Sequence, residues 1–127
     1  MKELQLSLTH YKLLDTVKWL NDSKKYGTTF GIFKIVHGDI DEETVNYTDC
    51  PTFSTLTSYG SKKISRFILS LYRYGYLIKV YDKNTNALYL SITFKGRDVL
   101  EKFHAKHNGN YKKTPKKFKK QIITIEK

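Results

Sequence analysis

The sequence is poor in cysteine, proline and long apolar runs, and each shortage excludes a class of protein. Its 127 residues include one cysteine, Cys50, which excludes an internal disulfide and a zinc site built from several cysteines. No apolar run approaches the roughly 18 residues of a membrane span, so no membrane partner is expected. The first residues lack the apolar stretch of a secretory signal. We therefore expect a cytoplasmic protein.

The motifs of common enzyme classes are also lacking. The chain has no glycine-rich phosphate loop, no His-Glu-x-x-His pair and no nucleophile elbow. His104 and His107 lie three residues apart, but two histidines without a third ligand are more typical of a surface than of a metal site. We expect no enzymatic activity, no metal and no cofactor.

Acidic residues are scarce in the second half of the chain. Residues 1–61 contain 6 Lys and 8 Asp or Glu, whereas residues 62–127 contain 17 Lys or Arg and 4 Asp or Glu. The formal net charge of +11 therefore arises from the second half. This distribution favours a basic surface for a polyanion, with a charged surface that only keeps the protein soluble as the alternative.

The first half predicts two helices and an acidic loop. Apolar residues over residues 4–24 have the spacing of one helix. Residues 28–37 favour a second helix, which places Phe30, Phe33 and Val36 at helical spacing and stops at Gly38, although a short buried strand is the alternative. Residues 39–49 carry five acids and predict a loop, with room for a short strand over 44–47.

The middle of the chain predicts two helices joined by a tight turn. A short helix begins at Pro51, because proline is favoured in a first helical turn, and it turns Phe53 and Leu56 inward. Gly60 supplies a left-handed residue for the turn. A helix over residues 61–74 follows and is closed by Gly75.

The remaining sequence predicts a β-hairpin, a last helix and a tail. Strand-like runs at 76–81 and 87–93 flank a turn-rich loop at 82–86, and a helix follows over 94–107. Residues 108–127 combine low hydrophobicity with high charge, which predicts a flexible basic tail. We thus predict an α+β, mostly helical fold: a winged helix-turn-helix domain with a two-stranded wing over 1–107, and a tail over 108–127.

The predicted helix 61–74 separates its apolar residues from its basic residues. At about 100° per residue, Ile64, Ile68 and Leu71 share one stripe. The opposite stripe contains no acid and consists of Lys62, Arg66, Ser70 and Arg73, with Lys63 beside it. Ordinary solvated helices mix charges and use i,i+4 salt pairs. A purely basic stripe therefore favours contact with a polyanion over a plain solvated surface.

Three segments of the chain resemble one family of regulators. The run GSKKISR at residues 60–66 resembles the turn and the start of a recognition helix. The run YGYLI at 74–78 resembles the helix end and first wing strand, and LSITFKGR at 90–97 resembles the second wing strand and the start of the last helix. Together, over about residues 50–104, they resemble the multiple-antibiotic-resistance repressor family and its staphylococcal accessory regulator relatives.

The resemblance implies a function as well as a fold. In that family, the recognition helix, here 61–74, enters the major groove, and the wing, here 76–93, reaches the adjacent minor groove of a duplex bound by a homodimer. We therefore expect sequence-specific binding of double-stranded DNA by a nucleoid-associated transcriptional repressor or regulator. The two rival functions are a replication or recombination accessory protein of a mobile element, and a winged-helix interaction module that uses the acidic 39–49 segment.

The predicted DNA-binding residues form three groups. On the recognition helix they are Lys62, Lys63, Ser65, Arg66, Ser70 and Arg73. At the wing tip, where the family usually has an arginine, they are Lys83, Asn84, Thr85 and Asn86. In the tail they are Lys112, Lys113, Lys116 and Lys117. Arginine can pair with the acceptors of guanine, lysines chiefly hold phosphate, and single-stranded DNA is a further candidate partner of the tail.

The first helix also predicts a homodimer. Residues 4–24 carry more apolar side chains than one helix face requires, notably Leu6, Leu13 and Trp19. The surplus favours a second buried surface between two copies of the chain. The alternative is that residues 28–37 or the last helix cover these side chains.

Overall fold

The computed structural model describes residues 5–107 of the chain. In chain order its elements are α1 (Leu8–Asp22), α2 (Thr29–His37), a short 3₁₀ helix (Val45–Tyr47), α3 (Ser61–Arg73), β1 (Leu77–Asp82), β2 (Ala87–Ile92) and α4 (Phe94–His107). The α+β class is confirmed, with four helices and one two-stranded antiparallel sheet in this range. None of these helices has the length and apolar character that crossing a bilayer requires.

Helix α1 lies at the centre of the fold and contacts α2, α3 and α4 as well as strand β2. It begins after Ser7, whose backbone N–H donates to Nδ1 of His10 at 2.9 Å. Leu13 is fully buried, and Leu6 and Trp19 are partly buried against the same core. The apolar surplus that suggested a dimer surface therefore packs inside the chain, and the homodimer stays a prediction.

Helix α2 settles the choice between helix and strand for residues 28–37. The hydroxyl of Thr28 accepts a hydrogen bond from the N–H of Gly31 at 3.0 Å, which caps the first turn. Gly38, at φ +90°, ends the helix in the left-handed conformation that glycine adopts without strain. The buried face consists of Gly31, Ile32, Ile35 and Val36. Phe30, predicted to share the apolar spacing, is instead exposed.

The predicted helix at Pro51 does not form, and the prediction of a strand over 44–47 is also wrong. Residues 45–47 form the 3₁₀ helix, and consecutive turns occupy residues 49–54. The hydroxyl of Thr55 donates to the carbonyl of Thr52 at 2.6 Å, and Ser54 adopts φ +63°. Threonine and serine side chains compete for backbone partners in this way, which disfavours a regular helix. The α-helix that precedes α3 in the chain is therefore α2, and residues 38–60 connect the two.

Residues 38–60 are nevertheless fixed to the core. The backbone N–H groups of Ser54 and Leu56 donate to the carbonyls of Ile35 and Val36, at 3.0 and 2.8 Å. Phe53, predicted to face inward, is fully enclosed, as is the thiol of Cys50. This irregular segment thus acts as part of the core that supports α3.

Two lysines anchor the same connection. Lys34 of α2 donates to Asp41 Oδ2 at 3.0 Å and to Glu43 Oε1, and its hydrogen bond holds the pKa of the Asp41 carboxyl below its ordinary value. Lys12 of α1 donates to the carbonyl of Thr55 at 3.2 Å, and burial lowers the pKa of this lysine. Opposite ends of the connection are therefore tied to α2 and α1.

The β-hairpin has one core face and one outer face. The register pairs Leu77 with Ile92 and Lys79 with Leu90, so these residues share a face, and Leu77, Leu90 and Ile92 are buried. Val80 and Tyr89 pair on the opposite face. The edge of β2 that does not face β1 forms one hydrogen bond of its own: the N–H of Leu90 donates to the carbonyl of Gly27 at 2.9 Å. The base of the hairpin is thereby joined to the turn after α1.

Helix α4 packs across α1 and encloses the base of the hairpin. The rings of Tyr11 and Phe103 stack at 4.1 Å, and Arg97 pairs with Asp22 at 3.0 Å. His104, considered in the sequence as a metal ligand, instead contacts the carboxylate of Asp15 at 2.7 Å. Leu100 is buried between the helices. Helix α4 is thus held against α1 by a ring stack and by side-chain pairs.

We predict that Gly96→Ala destabilises the protein, although alanine normally stabilises a helix interior by about 0.5–1 kcal/mol relative to glycine. A Cβ at residue 96 would lie 2.5 Å from the carbonyl oxygen of Tyr76 and 2.7 Å from Ile92 Cγ1. We expect a loss of about 1–3 kcal/mol in the free energy of unfolding, measured by urea denaturation. Gly60→Ser is the control, because a Cβ there meets nothing within 4 Å. An unchanged free energy of unfolding for Gly96→Ala would contradict the close approach of residue 96 to the Tyr76 carbonyl.

Candidate nucleic-acid interface

Helix α3 holds its apolar stripe in the core and its basic stripe in solvent. Ile64, Ile68 and Leu71 are buried, as the helical spacing predicts. The predicted binding residues on this helix lie on the other side, where Ser70 is half-buried and the rest are exposed: Lys62, Lys63, Ser65, Arg66 and Arg73. The structure therefore brings all six together on one face. At 1.5 Å per residue this helix is about 20 Å long.

The cations of α3 have no acidic partners within residues 5–107. No ion pair in that range involves Lys62, Arg66 or Arg73, whereas Lys18, Lys34 and Arg97 elsewhere each pair with a carboxylate. Lys63 lies 5.1 Å from the ring centroid of Tyr59, which is a cation–π distance. The positive charge of this face is therefore uncompensated by nearby acids.

The start of α3 also differs from the predicted turn. Gly60 was expected in the left-handed conformation, but it is the N-cap residue with φ −79° and extended backbone. No side chain caps the helix, and its first turn contains no acid. The N–H groups at this end are thus left without a side-chain acceptor, and the end carries the positive pole of the helix dipole beside Lys62 and Lys63.

Three further exposed residues, one basic and two apolar, lie beside the basic stripe of α3, and none of them was among the predicted DNA-binding residues. Lys79 of β1 reaches towards α3 and places its ammonium 4.6 Å from the ring centroid of Tyr72. Leu69 and Tyr72 are 38% and 39% exposed, so apolar surface lies among the cations. The alternation along the predicted first strand was the available signal for Lys79, because it places this residue on the same face as Leu77, two residues earlier.

The wing tip is a turn of residues 83–86, all of them exposed. The carboxylate of Asp82 accepts a hydrogen bond from the N–H of Asn84 at 2.9 Å, and Asn86 adopts φ +59°. The hydroxyl of Tyr81 donates to the side-chain oxygen of Asn86. The amide of Asn86 is therefore engaged within the hairpin, while Lys83 extends into solvent.

The predicted tail residues Lys112, Lys113, Lys116 and Lys117 lie outside the described residues. Within residues 5–107, no group of three or more His, Cys, Asp or Glu side chains is arranged to hold a metal ion. Comparison of the chain with protein-family models, with curated proteins and with solved structures found no match.

Proposed function

We propose that this chain is a winged helix-turn-helix protein that binds double-stranded DNA through α3, as a transcriptional repressor or regulator. In this proposal α3 enters the major groove and the β1–β2 hairpin is the wing beside it. A helix 10–12 Å in diameter fits a major groove about 12 Å wide. Arg66 lies at the centre of the exposed stripe, where a guanidinium can reach the paired acceptors of guanine.

The observation that carries this proposal is the unpaired basic face of α3. Four cations on one exposed helix face repel one another, and no acid in the described range relieves the repulsion. A row of phosphates supplies the missing countercharge, with release of counterions as the driving force. The cations are Lys62, Lys63, Arg66 and Arg73.

The element order supports the proposal, with one departure. Three helices precede a hairpin that packs against α1 and α3, and the bridge between Gly27 and Leu90 adds one strand-like residue to the sheet. Helix-turn-helix motifs usually join their two helices by three or four residues. Here residues 38–60 separate α2 from α3. The bonds from Ser54 and Leu56 to the end of α2 hold this longer connection in place.

The two rival functions predict different binding. An accessory protein of a mobile element would use the same helix face on any duplex, or would prefer single strands. An interaction module would bind a protein through residues 39–49, where Asp41 and Glu43 already pair with Lys34 while Glu42 remains exposed. Protection of one discrete site from nuclease cleavage favours the regulator, uniform protection favours the accessory protein, and no DNA complex at low salt favours the module.

We predict that duplex binding depends strongly on salt. The helix, the wing and the tail together can neutralise roughly 6–10 phosphates, so the affinity should fall by about 10³–10⁵ between 50 and 200 mM salt. A fluorescence titration of a labelled duplex measures this slope. The paired substitution Lys62→Gln and Arg66→Gln should make the slope shallower, and a flat response of the unmodified protein would remove the polyanion proposal.

We also predict that Arg66→Ala reduces discrimination between DNA sequences more than loss of the tail does. A guanine contact by Arg66 discriminates by about 1–3 kcal/mol, whereas tail lysines hold phosphates of every sequence alike. The measurement compares the affinities of each variant for its selected duplex and for a scrambled one. Lys106→Ala, an exposed cation on α4, is the control. The assignment would be contradicted if truncation after residue 107 abolished discrimination between the two duplexes while Arg66→Ala left that discrimination unchanged.

A further inference from the structure

A second group of lysines and tyrosines lies in a cleft outside α3. The cleft is formed between the turn after α1 and the distal part of the hairpin, with a volume of about 490 Å³. This volume lies within the range of small-molecule sites. Four tyrosines line it: Tyr26, Tyr47, Tyr81 and Tyr89. Three lysines line it as well: Lys24, Lys25 and Lys83.

The cleft is separate from the α3 surface. Val80 and Tyr89, which form part of its wall, pair on the outer face of the hairpin, whereas Lys79 on the other face contacts Tyr72 of α3. No residue of α3 lines the cleft. A ligand in the cleft would therefore leave the basic face of α3 accessible.

The ring of Tyr26 is exposed, and that of Tyr89 has a hydroxyl partner in the hairpin turn. Tyr26 and Tyr81 are 55% and 54% exposed. Tyr81 pairs with Leu88 and therefore points to the other face of the hairpin, whereas Tyr89, which pairs with Val80, has its hydroxyl 3.3 Å from that of Thr85. Exposed aromatic rings offer stacking surfaces to unpaired bases, and such stacking tolerates any base.

The lysines of the cleft are available to an anion. Within the described residues, none of Lys24, Lys25 and Lys83 forms an ion pair with an acid. Lys25 lies over Tyr47, with 5.0 Å from its ammonium to the ring centroid. The one acid in the lining, Asp82, accepts a hydrogen bond from its own turn. Positive charge therefore exceeds negative charge around the rings.

We infer that this cleft is a binding site for single-stranded DNA. Unpaired bases would stack on the rings of Tyr26 and Tyr89, while Lys24, Lys25 and Lys83 would bind the adjoining phosphates. The bases of a duplex are stacked on one another inside the helix and cannot offer their faces to these rings, so the cleft selects unpaired nucleotides. The cleft shares Lys83 with the proposed wing, but no residue of α3 contributes to it.

The test measures binding of the full chain to a labelled oligo-thymidine 12-mer by fluorescence anisotropy. Tyr26→Ala should weaken binding about five-fold or more, since loss of a stacking aromatic typically has an effect of this size or larger. Tyr26→Phe keeps the ring and should bind like the unmodified protein. An abasic 12-mer has the same phosphates without bases, so it should bind more weakly and should not distinguish Tyr26→Ala from the unmodified protein.

Two further variants keep the test decisive. Lys24→Asn removes a cation at a residue with φ +60°, a conformation that asparagine tolerates, and it should weaken binding of both oligonucleotides. Phe30→Ala removes an exposed aromatic ring outside the cleft and should change neither. Unchanged 12-mer binding by both Tyr26→Ala and Lys24→Asn would overturn the site, as would equal affinity of the unmodified protein for the abasic strand.

A duplex titration separates this inference from the proposed function. Tyr26→Ala should leave duplex affinity unchanged, whereas Arg66→Ala should lower duplex affinity and leave the 12-mer unaffected. Failure of the cleft site would thus appear only with the single strand, and failure of the α3 proposal only with the duplex. Equal losses on both DNAs for Tyr26→Ala would contradict a separate cleft site.

Discussion

The burial of one stripe of α3 is the constraint on which the surface chemistry of this protein depends. Ile64, Ile68 and Leu71 must all face the core, and a helix with 3.6 residues per turn then has no rotational freedom left. The cations of the same helix are thereby placed on its exposed side. Helices α1 and α2 and strand β1 pack against α3, and Phe53 and Leu56 of the 38–60 connection belong to the same core cluster. The basic face is therefore as fixed as the core itself.

Local sequence signals predicted the elements that are decided locally. The cap at Thr28 and the stop at Gly38 bound α2, and the turn-rich residues 82–86 locate the hairpin. The signal at Pro51 failed because it concerns a first helical turn only, while the hydrogen bond from the Thr55 hydroxyl to the Thr52 carbonyl favoured a turn after it and the Thr52 hydroxyl contacts that of Thr16 in α1. Gly60 was misassigned for a similar reason, since a glycine between two elements does not by itself specify a left-handed residue.

The candidate sites divide in the same way. The face of α3 follows from the spacing within a single helix, so the exposure of its cations could be predicted. The cleft combines residues near Tyr26, residue Tyr47 and both strands of the hairpin, and only the tertiary contacts bring these together. Lys79 lies between the two cases, because alternation along the strand gives its face, whereas its approach to Tyr72 needs the packing of the hairpin beside α3.

Most carboxylates of residues 5–107 pair with a basic side chain of the same range. Asp22 is bound by Lys18 and Arg97, Asp41 and Glu43 by Lys34, and Asp15 by His104. The lysine and arginine pairs among these neutralise charge close to the α1 and α2 surfaces, while no carboxylate of the described residues pairs with a cation of α3. Within residues 5–107 most of the unpaired cations therefore gather on α3 and around the cleft. Under the proposed function, a polyanion exerts a torque as well as an attraction on such a charge distribution, so the protein turns a basic side forward before contact and spends fewer encounters in unproductive orientations.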